Sequence, residues 1–79
     1  MEVNIKSPAV VLYTNWKGKT EQRTISPLEI YWGHTEFHPE DQFLLKCIDL
    51  DKDAERTYAM KDISKIISGA ELFSNIKIG

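Results

Sequence analysis

The stretch from Phe43 to Ile63, FLLKCIDLDKDAERTYAMKDI, decides how the rest of this chain is read. Phe43, Leu45 and Cys47 share one parity, and Arg56, Tyr58 and Met60 share one parity further on. Between them stands Asp49-Leu50-Asp51-Lys52-Asp53, where turn-forming and poorly strand-forming residues cluster. Alternation on both sides of a charged turn predicts a β-hairpin, with Leu45, Cys47, Tyr58 and Met60 buried.

Working outward from that hairpin, the other segments carry the same signals. Ala9 to Thr14 is β-branched and aromatic, and Asn15-Trp16-Lys17-Gly18-Lys19 stops it with a glycine able to take a positive φ. Residues 20–33 form a long second strand in which Arg23 and Ile25 share one parity, while Leu28, Ile30 and Trp32 share the other. A parity change at Ser26-Pro27 predicts a β-bulge and a bend there, because proline donates nothing to a ladder. His34 to Gln42 has no period and reads as a surface connection around Pro39. Beyond the hairpin, Lys61 to Ser64 reads as a tight turn and residues 65–69 as a fifth strand; Ile63, Ile66, Ile67 and Ala70 also fit helical spacing, so helix competes over 62–74. The expected strands are 9–14, 20–33, 43–50, 55–61 and 65–69. Five short strands in meander order suggest an all-β, small five-stranded barrel that hides its own edges.

Length and composition agree with one small domain, 9–79, preceded by an N-terminal arm over 1–8 that ends in Ser7-Pro8. A chain of 79 residues buries only roughly 60–65% of the surface it exposes when unfolded, so modest stability is expected. Its 42% hydrophobic and 28% charged residues match an ordinary globular protein. Met1-Glu2-Val3-Asn4-Ile5-Lys6 has no apolar targeting region, and a cytoplasmic location is the default expectation. The single cysteine, Cys47, has no internal disulfide partner and reads as a small core hydrophobe. A net charge of −2 gives no overall positive field for non-specific nucleic-acid affinity.

Several groups suggest chemistry. His34 and His38 with Glu36, Glu40 and Asp41 have the composition of a metal site, but they sit in a proline-containing segment without a cysteine, so no metal is expected. Asp49, Asp51 and Asp53 alternate as in a calcium loop, yet Ala54 stands where the glycine belongs and Met60 where the bidentate glutamate belongs; they read as a charged turn. No nucleophile elbow and no glycine-rich phosphate loop is present, so neither an enzyme nor a cofactor is expected. Trp16 beside Lys17 is an arrangement that stacks and neutralises single-stranded nucleic acid, although a tryptophan folded back over the barrel mouth is the plainer expectation. Arg23 and Arg56 each share parity with apolar residues, and a guanidinium there needs an internal carboxylate or a bound anion.

The succession Tyr13, Asn15-Trp16-Lys17-Gly18, Arg23-Thr24-Ile25-Ser26-Pro27, Ile30-Tyr31-Trp32-Gly33, Phe43-Leu44-Leu45 and Asp49 to Ile63 resembles the WYL domain over about residues 10–68. The family's Trp-Tyr-Leu falls on Phe43, Leu44 and Leu45, and its later Arg-x-Phe-x-Leu-Asp-Arg-Ile falls on Arg56, Tyr58, Met60, Lys61, Asp62 and Ile63. The chain is similar to short stand-alone bacterial members. The resemblance implies an SH3-like or Sm-like barrel, a regulatory or ligand-sensing role, and a basic and aromatic surface that in some members receives nucleic acid. Carried to this chain, that surface comprises Arg23, Arg56, Phe43 and Tyr58, with Trp16 and Lys17 beside it. Leu44, Ala59 and Asp62 depart from the family's pattern, the last two where it often carries arginine. The expectation is a non-enzymatic module for a small anionic ligand or a nucleic-acid segment. The alternative is a protein-interaction module using an edge strand or apolar patch.

Overall fold

β-branched and aromatic residues at alternate positions build six strands in the computed structural model, which describes residues 8–78. They are β1 (Ala9–Thr14), β2 (Thr20–Thr35), β3 (His38–Asp49), β4 (Ala54–Ala59), β5 (Ile63–Ser68) and β6 (Lys77–Ile78). Short 3-10 helices at Met60–Asp62 and Ala70–Asn75 interrupt the later strands. The sheet runs β4-β3-β2-β1-β5 with antiparallel neighbours, and β6 adds to β2 in parallel. The arm expected over 1–8 lies, apart from Pro8, outside the described residues.

The bulge expected near Pro27 is present. Pro27 opposes Cys47 and Glu29 opposes Lys46, so Leu28 is the extra residue. Ile25, Pro27 and Ile30 therefore face the same side as Asp49, Cys47 and Leu45, their opposed partners. Leu28 does not join them as expected; it is displaced outward and 38% exposed. The same irregularity changes β2's neighbour. Its residues up to Ile25 pair with β1, whereas Glu29 and Ile30 pair with β6.

The segment 34–42 is not the surface connection that its lack of period suggested. β2 extends to Thr35 and β3 begins at His38, leaving only Glu36 and Phe37 at the tip. Pro39 is tolerated because the register slips between the Gly33–Gln42 and Thr35–His38 pairs, and because β4 reaches along β3 only to Leu44. Residues 38–43 thus form an edge, where a missing N–H breaks no ladder.

The expected closure into a five-stranded barrel also does not occur. Among the described residues β4 and β5, the ends of the path, do not pair. Tyr13 of β1 and Tyr58 of β4 instead meet as stacked rings, their centroids 4.0 Å apart. Side chains fill the gap that backbone hydrogen bonds close in a barrel. The sheet is curled and open.

Its concave face carries the core: Ala9, Val11, Ile25, Leu45, Cys47 and Tyr58, each at most 5% exposed. Three of the four expected core residues of the organising hairpin are in this cluster. Met60 is only half-buried against it, because the chain leaves β4 at Ala59 and turns into the 3-10 helix. The competition between strand and helix over 62–74 is divided. β5 ends at Ser68, and the 3-10 helix Ala70–Asn75 then packs Leu72 and Phe73 on the core. The turn between them requires glycine: Gly69 has φ +79°, and a Cβ there would lie 2.7 Å from the Ala9 Cα.

Leu45 is fully buried at the centre of this cluster. Leu45→Ala is expected to cost about 2–5 kcal/mol, through lost burial and the cavity left behind. An unchanged urea midpoint in that variant contradicts the register that sets Leu45 opposite Ile30 and Tyr58 on the core-bearing face.

Candidate functional site

Two short loops each hold an aromatic side chain out into solvent. In the β1–β2 loop, the Asn15 Oδ1 accepts hydrogen bonds from the backbone N–H groups of Lys17 (2.9 Å) and Lys19 (3.0 Å), and Gly18 supplies φ +83°. Trp16 is thereby fixed at the tip, 87% exposed, with the Lys17 Nζ 5.3 Å from its ring centroid. It does not fold back over the core as expected, because Tyr13 and Tyr58 already occupy that place. In the β2–β3 turn, the Thr35 Oγ1 accepts from the N–H groups of Phe37 (3.2 Å) and His38 (3.0 Å), and Phe37 is 81% exposed.

These two tips and β4 enclose a concavity of about 600 Å³, lined by Tyr13, Trp16, Phe37, His38, Arg56 and Tyr58 among others. It continues at Trp16, Phe37 and His38 into a second hollow of about 500 Å³ that reaches Lys61 and Asp62. At Phe37 and Arg56 it continues into a third of about 480 Å³.

Three of the expected site residues, Trp16, Arg56 and Tyr58, come together in this concavity, and Lys17 lies beside it against Trp16. Phe43 does not. It is directly opposite Trp32 on the β2–β3 hairpin and packs edge-on against it at 4.9 Å, with both rings more than half exposed.

Arg23 opposes Val11 and Arg56 opposes Cys47, so both guanidinium groups start from the core-bearing face, as their parity suggested. Their surroundings differ. Arg23 is committed to Glu21, 2.7 Å away, and Lys19 approaches the other oxygen of that carboxylate at 3.2 Å. These two cations hold the Glu21 carboxyl below the usual carboxylate range. Arg56 is exposed, and among the described residues its Nη1 donates only to the Glu55 carbonyl, at 3.0 Å. Neither arginine uses Glu29 or Asp49. Glu29 lies 3.9 Å from Lys46, and the Asp49 Oδ2 accepts from the Tyr58 hydroxyl at 3.2 Å.

Asp49 is the one buried charged residue among those described. Its other oxygen accepts from the N–H groups of Asp51 (3.0 Å) and Lys52 (3.2 Å), so it shapes the β3–β4 turn while it anchors Tyr58. The turn closes at Asp53, with φ +52°. Asp49, Asp51 and Asp53 therefore act as a turn. His34 Nδ1 is 2.9 Å from Asp41 Oδ1 on the surface. Among the described residues no group of three or more His, Cys, Asp or Glu side chains could hold a metal, and no helix is long and apolar enough to cross a membrane.

The residues that sequence reasoning missed at this site are Tyr13, Phe37 and His38. A signal existed: Thr35-Glu36-Phe37 repeats the logic of Asn15-Trp16, a turn-capping polar residue closely followed by an aromatic. Comparison with protein-family models, curated proteins and solved structures finds no match to this chain.

One buried thiol and the two stacked phenols set an alkaline limit on the fold. Burial pushes the Cys47 thiol up from 9.0 to about 12. Burial first, with Asp62 adding to it, raises the Tyr13 phenol above 10.0, and burial with Asp49 raises Tyr58 further. The folded chain therefore keeps protons that the unfolded chain releases, and stability falls with rising pH wherever that holds. The urea midpoint is expected to stay level near neutral pH and to decline from about pH 9 toward pH 12. In Cys47→Ala the decline should begin nearer pH 10, where tyrosine ionises in the unfolded chain.

Proposed function

We propose that this chain is a non-enzymatic regulatory binding module of the WYL kind, an open variant of the SH3-like or Sm-like barrel. Its ligand is a nucleotide unit, free or within a single strand. The observation that carries the reading is the placement of exposed Trp16 and Phe37 around one concavity with Arg56 and Tyr58. A base has two apolar faces and stacks on exposed aromatic rings with little regard to its identity, at about 1–3 kcal/mol for each base. A phosphate needs a cation with free donors. Among the described residues Arg56 spends one donor, on the Glu55 carbonyl, and the Lys17 ammonium stands at the tryptophan on the concavity's rim. The curl that brings Tyr58 onto Tyr13 supports the barrel-like reading, and the loop sequence Asn15-Trp16-Lys17-Gly18 is part of the resemblance to the family.

Within that reading the two arginines divide the work. Arg56 contacts the anion, while Arg23, held by Glu21, contributes its charge to the field around Tyr13 and Tyr58. Few cations and a net charge of −2 favour weak, moderately salt-dependent binding. Each neutralised phosphate of a single strand contributes a slope of about −0.7 in log affinity against log salt.

The test is a titration at low salt with nucleoside monophosphates and short single-stranded oligonucleotides, read by quenching of tryptophan emission. Arg56→Ala and Trp16→Ala are each expected to weaken binding roughly tenfold, and Arg23→Ala far less. Wild-type protein that binds none of these anions defeats the proposal. Affinity lost with Arg23→Ala and kept in Arg56→Ala moves the anion contact to Arg23.

A further inference from the structure

His38 stands where two of the hollows meet. It lines both the concavity of about 600 Å³ and the second hollow of about 500 Å³, in each case with Trp16 and Phe37. Its backbone is fixed there: the Thr35 Oγ1 accepts from its N–H at 3.0 Å, and the residue pairs with Thr35 at the end of the β2–β3 ladder. The side chain is half-buried. Among the described residues neither ring nitrogen has a hydrogen-bond or ion-pair partner, and the one unpartnered side-chain atom shut away from solvent is the Gln42 Oε1. The imidazole is therefore open to solvent. The other histidine differs: the His34 Nδ1 lies 2.9 Å from the Asp41 Oδ1, and His34 lines none of the three hollows.

The charge around His38 is unbalanced. The titratable and charged groups at the two hollows are Tyr13 of β1, Glu36 of the β2–β3 turn, Glu40 of β3, Arg56 and Tyr58 of β4, and Lys61 and Asp62 of the 3-10 helix, with Lys17 beside Trp16. The lining thus sets two cations, Arg56 and Lys61, against three carboxylates. A proton on His38 evens that count. Carboxyls ordinarily change charge below about pH 5, and phenols, ammoniums and guanidiniums above about pH 8. Burial moves the phenols of Tyr13 and Tyr58 further up. Histidine is the side-chain type that ordinarily changes charge in between. A neutral imidazole offers one donor, whereas the protonated ring offers two and a positive charge, and a charge-assisted bond to phosphate is the stronger kind.

We infer, resting on the nucleotide reading of the concavity, that His38 is a further anion contact of this site and makes its binding depend on pH. The protonated ring donates to a phosphate in the hollow that it shares with Arg56, and a proton is taken up as the ligand binds. Affinity rises as the pH falls through the range in which the ring charges. Because the coupling is reciprocal, the bound anion also raises the pH at which the ring gives up its proton.

The probe is a short oligothymidylate without terminal phosphates, because a phosphomonoester changes its own charge near about pH 6 and would hide the effect. Binding at low salt, read by tryptophan quenching, is expected to tighten about tenfold in the wild type from about pH 8 to about pH 5.5. His38→Gln keeps a neutral donor and acceptor, so it should match the wild type at the alkaline end and lose most of the gain at the acid end. His34→Gln should keep the gain. Each variant removes one imidazole, so a general change in the protein's field is equal in both, and the difference between them isolates His38. The Thr35 cap uses the backbone N–H of His38 and survives the substitution; circular dichroism checks the fold. A second measurement needs no variant: the ring-proton resonances of His38 should titrate at higher pH with oligothymidylate bound, and those of His34 should not move. Affinity that is level with pH, a rise that His38→Gln retains, or a His38 titration unchanged by the ligand overturns the contact at His38 and leaves the nucleotide reading standing. Wild-type protein that binds no oligothymidylate anywhere in this range overturns both.

Discussion

The contact on which the rest of the structure depends is the stack of Tyr58 on Tyr13, held by the hydroxyl of Tyr58 on the buried carboxylate of Asp49. β1 and β4 never share a ladder, yet this contact holds them face to face across the mouth of a curled sheet. The hydrogen bond to Asp49 matters because a buried carboxylate without partners is costly, and three donors satisfy this one. One residue thus links the turn of the organising hairpin to the closing contact of the fold. The same two rings form a wall of the concavity, so the site cannot be altered at Tyr58 without altering what holds the sheet curled.

The bulge at Leu28 does the complementary work on the other side. A sixteen-residue strand with one uniform pleat is too long to serve one small core. The extra residue lets its first half pair with β1, frees its second half to pair with β6, and keeps Ile25, Pro27 and Ile30 on one face. The hairpin then extends beyond the core to Phe37, whose ring reaches the concavity built by β1 and β4. A module of 79 residues gains a hollow of about 600 Å³ in this way, without enclosing it in the interior it needs for stability.

The exposed aromatic tips and the unpaired strand ends follow from one departure, the failure of the sheet to close. A closed barrel has no edges to offer and sets its aromatic residues inward. Among the described residues the ends of the sheet have no further strand neighbour, while Trp16 and Phe37 stand out on loops stiffened by Asn15 and Thr35. Exposed aromatics on rigid tips bind at small entropic cost, because little ordering is left to do.

Much of the fold was legible from alternation and turn chemistry. The β3–β4 hairpin, the burial of Leu45, Cys47 and Tyr58, the loop at Asn15–Lys19 and the bulge at Pro27 are all local, set by parity and by residues whose backbone preferences are narrow. His34 to Gln42 misled because a register slip at an edge erases the period on which strand assignment rests. Leu28 misled because parity locates a bulge without telling which residue it expels. Other features depend on distant parts of the chain. That Arg23 is held by Glu21 while Arg56 has no carboxylate partner among the described residues depends on which side chains surround each guanidinium, although parity put both on the core-bearing face. That Phe37 joins Trp16 and Arg56 depends on how far the hairpin bends, whereas Phe43 meets Trp32 through the β2–β3 register. Sequence determined which way each side chain points from its own strand. Only the tertiary curl, fixed by two tyrosines 45 residues apart, decided which of them meet.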